Sequence, residues 1–549
     1  MTHLIQRDPL DPSRTNWLNL VPSLSGKKIL KFGTNNFHTI KALDRIKSRS
    51  ITFAGRISEH IRTSSKVHIC DESKLKRNYY DICIVDESDC FVSKPHSIKH
   101  LIKKCHGYLN KDGIILVAVE KGFRNIKSRI DLWSFYRETK YKTEQYFLIA
   151  PSLSEPYTIY PVHQSIRPVN KILFREIFLK QDFKSAAKAV LKYLLSAFTG
   201  KFNPMFGMIV VAGKNNNNIL EFEEIIKNKL DPDPKDPIYT IWSAKPYTGK
   251  QVGLVFHRVK DNDKVKAVVK KSNFKYHRDF AIRQEYENLL VLSSHSAFFT
   301  ANNIKIPEPI FFIDQNNCNI SIESAVPGTP LSSININSKG NSDILQKKLV
   351  EIAALQIVMQ KYLSKNAKEF LPRLPKDYFE NRLFMDFEYF NDLSRLKGYY
   401  NHVQHGDLTD VNLFFTSSNK WSVIDWEWLA SGFPQLFDLY HLFFSVKYRN
   451  FPERVSNNLL THYFNSFVDT FFDENKFSRL MGRLVIQYCH EFSLPRDMVF
   501  NLFMDFLLFI YNKYRIDYQL IEYANLHSRM IHFAFESKEK FFFKPGLAN

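Results

Sequence analysis

The sequence predicts two architectures joined end to end: an α/β parallel sheet with crossover helices over residues 1–213, and an α+β half with extra terminal helices over 238–549. Three observations predict this. In the first half, short apolar runs alternate with longer polar, helix-capable segments, the pattern of a parallel sheet. Then Asp231-Pro232-Asp233-Pro234-Lys235-Asp236-Pro237 places three prolines where neither helix nor central strand can continue, so 214–237 reads as a linker. Beyond it, hairpin alternation gives way to long stretches of helical period, dense in Phe, Tyr and Met. A chain of 549 residues also exceeds one ordinary core.

The strands of the first half read as Ile29–Gly33, Ile51–Gly55, Val67–Asp71, Asp81–Asp86 and Ile114–Val119. Tyr80-Asp81-Ile82-Cys83-Ile84-Val85-Asp86, a helix near 97–109 and Asn110-Lys111-Asp112-Gly113-Ile114-Ile115 resemble the fourth and fifth strands of class I methyltransferases. The resemblance covers about 20–214 and implies a Rossmann-like domain, with 206–212 as its final antiparallel edge strand. It fails where cofactor chemistry would sit. The first turn, Phe32-Gly33-Thr34-Asn35-Asn36, has one glycine, and the second strand ends in Gly55-Arg56 without the acid that holds ribose hydroxyls. The expectation is a degenerate methyltransferase-like domain, with a bifunctional methyltransferase-kinase as the alternative. Residues 139–204 read as an insertion. Lys184, Lys188 and Lys192 share one face of its helical stretch 183–195, which suits either peripheral contact with an acidic membrane or a solvated face.

In the second half, Tyr239–Ser243 and Val252–Val259 alternate as hairpin strands. Their connection, Tyr247-Thr248-Gly249-Lys250, is either a phosphate-covering loop around Gly249 or a plain turn. Lys266–Lys271 is the next strand, and period-two alternation sends only one of Lys270 and Lys271 to a given face.

The stretch with the most chemistry is His405-Gly406-Asp407-Leu408-Thr409-Asp410-Val411-Asn412, followed by Trp421-Ser422-Val423-Ile424-Asp425. A carboxylate and a carboxamide five residues apart, with a second carboxylate at a strand end, suit phosphoryl transfer from a magnesium nucleotide. Asp407 accepts the proton of an attacking hydroxyl, while Asn412 and Asp425 offer hard oxygen ligands to the metal.

These residues resemble the His-Gly-Asp-x-x-x-x-Asn and Ile-Asp-[Phe/Trp] motifs of the aminoglycoside phosphotransferase and choline kinase family, relatives of protein kinases. The resemblance spans about 238–445 and implies a protein-kinase-like domain with a small lobe over 238–328 and a large lobe over 329–549. It implies ATP and Mg as cofactors. It makes Lys270 the phosphate-binding lysine, with Lys271 as alternative, and Glu285 its helix partner, with Glu287 as fallback. Ile322-Glu323-Ser324-Ala325-Val326-Pro327-Gly328 resembles the family's hinge, whose backbone near Glu323 and Ala325 would bond adenine. Pro434–Leu439 matches its Pro-x-x-x-Asp-Leu, so Asp438 is expected to cap a helix and brace the loop. Trp421 and Trp428 fit a cage for a quaternary amine or, equally, core packing.

Composition narrows the classes. Six scattered cysteines without C-x-x-C spacing read as free thiols, excluding a zinc site or disulfide frame. No apolar run is long enough to span a membrane and no leader pattern opens the chain, so a soluble, cytoplasmic protein is expected. A net charge of +20 favours anionic partners: nucleotide, phosphorylated sugar, nucleic acid or acidic lipid. The leading function is an ATP-dependent phosphotransferase acting on a small-molecule hydroxyl of a sugar, amino alcohol or glycolipid precursor. A non-catalytic kinase-like nucleotide-binding module is the rival, and it predicts loss of a site residue. Nucleic acid is the least expected partner.

Overall fold

The computed structural model describes residues 26–32, 49–54, 67–70, 72–86, 105–119, 143–151, 156–161, 207–213, 228–230, 238–243, 250–259, 262–272, 279–315, 318–334, 341–369, 402–416, 420–450, 459–517 and 521–541, with positions 18, 39, 43, 226 and 399. The chain forms two compact units, Met1–Ile282 with Ile310–Ala325, and Arg283–Pro309 with Val326–Asn549.

The first unit is built on a 13-stranded sheet. Its strands are β1 (Lys28–Phe32), β2 (Ser50–Ala54), β3 (Val67–Cys70), β4 (Tyr80–Asp86), β5 (Leu109–Val119), β6 (Thr143–Pro151), β7 (Pro156–Pro161), β8 (Gly207–Gly213), β9 (Ile238–Ser243), β10 (Lys250–Val259) and β11 (Asn262–Ser272). After β12 (Ile304–Lys305), which lies in the second unit, β13 (Pro309–Gln315) and β14 (Cys318–Ser324) complete it. The first five strands are parallel in the order β3-β2-β1-β4-β5, a doubly wound order. Ile29, Ile51, Ile82, Ile84 and Leu116 are accordingly buried together.

Strand β8 is antiparallel to β5, as the sequence predicts, but it is not an edge. The insertion supplies β6, which pairs with β8 on its other side. An apolar strand such as Met208–Ala212 offers a ladder on both sides, and an unpaired side would invite aggregation. The sheet then continues through β7 and β9, the first strand after the 214–237 stretch, into β10, β11, β14 and β13. Described residues of the expected 97–109 helix reach only 105–108, and β5 already begins at Leu109. Gly33–Asn36, Gly55-Arg56, the helix at 183–195 and Gly249 lie outside the described residues.

The second unit has helices α1 (Asp279–Ser294, most of which belongs here), α2 (Ser296–Ala301), α3 (Asn341–Lys365), α4 (Phe437–Asn450), α5 (Leu459–Phe471), α6 (Lys476–Glu491), α7 (Val499–Asn512) and α8 (Ile521–Glu536). Between them lie β15 (Thr329–Pro330), β16 (His402–Gln404), β17 (Leu413–Phe415), β18 (Trp421–Val423) and β19 (Ala430–Phe433). Gly328 has φ +123°, and a Cβ there would stand 2.9 Å from Phe415 O, so the Pro327-Gly328 turn requires glycine. The Phe-rich helices predicted as either core or acceptor pocket are largely core. Phe467, Phe471, Phe503 and Phe509 are fully buried, and tilted or edge-on ring pairs link Phe503 to Phe471 and Tyr440. Asn475 starts α6 with a capping box closed by Ser478.

No helix among the described residues is long and apolar enough to cross a membrane. Cys70, Cys83, Cys105 and Cys489 are free thiols, as expected.

His527, on α8, is sealed between Tyr463 and Tyr514. Its Nδ1–H donates to Tyr523 O at 2.8 Å and its Nε2 lies 3.3 Å from the Tyr463 hydroxyl, which fits the neutral ring. Burial pulls its pKa down to about 4, against the weaker pull of the Tyr523 carbonyl. The unfolded chain thus binds a proton from about pH 6.5 downward that the folded chain refuses until about pH 4. Stability from this group is present above that window and lost as pH falls through it. Relative to His527→Gln, which does not titrate, the wild type should lose up to about 1.4 kcal/mol per pH unit between pH 6.5 and 4. Urea unfolding at pH 7.5 and 5 checks this, and parallel pH profiles would contradict it.

Candidate active site

A hairpin builds the site. β17 and β18 are antiparallel, with Leu413 opposite Val423. The ladder runs one step further, because the Ile424 N–H donates to Asn412 O at 3.0 Å. Asn412 and Asp425 are therefore brought to the same end of the hairpin. The loop before Asn412 closes on itself: Asn412 Nδ2 donates to Asp407 O at 2.9 Å and to its carboxylate Oδ2 at 3.2 Å. Any metal ligand from Asn412 is thus its carbonyl oxygen.

Asp438, on α4, fixes the start of the loop. Its Oδ2 accepts the His405 N–H at 2.8 Å and its Oδ1 the Gly406 N–H at 2.9 Å. The bracing predicted for this residue is present; instead of capping α4, Asp438 lies in its first turn with its own N–H bonded to Gln404 Oε1. Burial pushes its carboxyl up to about 7, partly offset by the N–H donors. His405 Nε2–H donates to Ile424 O at 2.9 Å, while Nδ1 accepts the Asp407 N–H at 3.3 Å. Burial lowers its pKa, so the ring is a neutral strut and not an acid. Asp410 turns away from the loop to Arg449, 2.8 Å from Nε, and burial still raises it to about 6.

Asp407 is gripped on both oxygens. Oδ1 lies 3.0 Å from Lys513 Nζ and 3.8 Å from His441 Nδ1. Burial would raise this carboxyl, but the charge and hydrogen bond of the Lys513 ammonium outweigh it and hold Asp407 well below the usual carboxylate range. The same ammonium stands 4.5 Å above the Trp428 ring. Lys513 escapes sequence reasoning, since it lies 106 residues from Asp407 and belongs to no motif. The one signal was a lysine closing the almost wholly apolar α7.

Asp425 takes a left-handed conformation (φ 68°, ψ 57°), uncommon outside glycine and found where a site over-determines it. The turn after it is held by Asn288, whose Nδ2 donates to Trp426 O and Leu429 O at 2.8 and 3.2 Å. One helical turn earlier, Glu285 is buried and forms a group with Asp425 and Glu427, their ligand oxygens within 4.8 Å of one another. An all-oxygen donor set of this kind fits magnesium.

In the first unit, Lys270 and Glu323 form a buried ion pair at 2.9 Å. Val268 lies opposite Glu323 in the β11–β14 ladder, so Lys270, two residues on, shares its face. Lys271 points the other way and is also buried. The Ala325 N–H donates to Lys266 O at 3.1 Å, extending the ladder. With that N–H engaged by the sheet, the carbonyl is what Ala325 can offer to the expected adenine contact.

No protein-family model matches the chain, and no curated protein matches it. Solved structures resemble parts of it at low TM-scores. Spermidine synthase from Thermotoga maritima is 10% identical over 39% of this chain and 62% of its own, with a TM-score of 0.24. Phosphoethanolamine N-methyltransferase 2 of Haemonchus contortus, bound to phosphomonomethylethanolamine and S-adenosylhomocysteine, is 11% identical over 36% and 50%, at 0.22. The chain thus spans about half to two-thirds of the length of these two. A thermostable mutant of aminoglycoside phosphotransferase APH(4)-Ia, in complex with ADP and hygromycin B, is 11% identical over 57% and 98%, at 0.34.

Gly406 tests the loop geometry directly. It has φ +76°, and an added Cβ would stand 2.6 Å from Phe433 Cζ and 2.7 Å from Trp428 O. Gly406→Ala should cost about 2–4 kcal/mol through backbone strain and overpacking together. Urea unfolding checks it, and a loss below about 1 kcal/mol would mean that the loop relaxes freely.

Proposed function

We propose that this chain transfers the γ-phosphoryl group of ATP to a hydroxyl of a small molecule such as a sugar or glycolipid precursor. The observation that carries the reading is the hairpin, which brings Asp407, Asn412 and Asp425 to one end with the loop closed by its own hydrogen bonds. Asp407 orients the acceptor hydroxyl and takes its proton. Its low basicity suits a loose transition state, in which the nucleophile needs alignment more than deprotonation. Asp425 and the Asn412 carbonyl hold magnesium, with Glu427 and Glu285 as further oxygen donors. Bound there, magnesium would neutralise charge on the nucleotide phosphates.

Lys270 contacts phosphate from its place beside Glu323, and the backbone around Glu323 and Ala325 meets the base. The reading also expects Gly249, outside the described residues, in a loop over the phosphates. The domain division that accompanies this reading is a methyltransferase-like recognition module over 1–213, a linker over 214–237 and a kinase-like domain over 238–549. The N-terminal module serves docking rather than methyl transfer.

Labelled γ-phosphate transfer to a panel of hydroxylated metabolites tests the reading. Asp407→Asn should lower turnover by on the order of a thousandfold while nucleotide still binds. Full activity in that variant would remove Asp407 from the chemistry. Asp425→Ala should abolish the magnesium-dependent part of ATP affinity, and equal calorimetric affinity of variant and wild type for Mg-ATP would require different metal ligands.

A further inference from the structure

We infer that Lys513 sets the charge of the acceptor: its ammonium fills the place beside Asp407 that an amine-bearing acceptor would need, so the site takes uncharged or anionic hydroxyl compounds and refuses ammonium compounds. This rests on the phosphotransferase reading of Asp407.

An amine is recognised by a carboxylate and by the face of an aromatic ring. Both are here, and the chain's own cation uses both. Lys513 Nζ lies 3.0 Å from Asp407 Oδ1 with only 6% of its side chain exposed, and 4.5 Å from the centre of the Trp428 ring. The cage that Trp428 suggested in the sequence is therefore already filled. Burial lowers the pKa of the His405 and His441 rings, so the cation bonded to Asp407 Oδ1 is the Lys513 ammonium. A second cation would meet Lys513 in a poorly solvated place, where like charges repel strongly.

The backbone is shaped for this. α7 runs buried along nearly its whole length to Asn512, and Lys513–Asp517 then winds as a π-helical turn. Such a turn takes an extra residue and shifts the side chains that follow, a device found often at functional sites. A lysine closing an apolar helix ordinarily reaches for solvent. This one is drawn inward to Asp407.

The test is choline titration by calorimetry into the full chain with ADP and magnesium present. The wild type should show no saturable choline binding at millimolar concentration. Lys513→Met, which keeps the aliphatic stem and removes the charge, should bind choline at least about tenfold more tightly than the wild type, and Lys513→Met with Asp407→Asn should lose that gain. Saturable binding by the wild type, or no gain in a folded Lys513→Met, overturns the assignment. If Lys513→Met does not fold, the wild-type titration decides alone. Binding is read here and not turnover, so failure of the phosphoryl-transfer assay would count against the function without being mistaken for failure of this inference.

Discussion

The carboxylate of Asp438 accepts one backbone N–H on each oxygen, from His405 and from Gly406, and the loop that carries Asp407 starts from that pair of bonds. Both donors and the acceptor are buried, so losing either bond would leave an unpaired polar group out of reach of water. Gly406 must then take a left-handed backbone under Phe433 and Trp428, which no side chain would allow. Gly406 and Asp438 form one device. From the fixed start the loop needs only the Asn412 carboxamide, bonded back to Asp407, to bring its end beside its beginning.

Charge is arranged around this frame in two separate groups of the second unit. On one side, Glu285, Asp425 and Glu427 concentrate negative charge on oxygen donors, an arrangement that favours a hard cation. On the other, Asp407 is neutralised by Lys513 and flanked by two neutral imidazoles. The two groups of carboxylates thus differ by environment rather than by residue type. In the first unit, Lys270 has a buried carboxylate partner of its own in Glu323, which fixes the ammonium in position.

What the sequence made legible was local. The spacing from Asp407 to Asn412 and Asp425 maps onto one hairpin, because a loop of that length followed by two short paired strands has few ways to fold. The alternation in 29–119 maps onto parallel strands because fully buried strands must be apolar on both faces. Illegible features depended on distant partners. That β8 is interior depends on β6 pairing along it, and nothing in Met208–Ala212 announces a neighbour. Lys513 meets Asp407 only through the packing of the terminal helices. The role of the Ala325 N–H was fixed by the register of β14 on β11, which period-two alternation leaves open by whole steps.

The central claim is that Asp425 and its neighbours hold a divalent ion that also touches nucleotide phosphate. Electron paramagnetic resonance with manganese in place of magnesium reads this at the metal. The account predicts that the wild-type chain with ATP binds manganese whose signal carries hyperfine coupling to phosphorus. Manganese that binds without phosphorus coupling, or not at all in the presence of ATP, would contradict it.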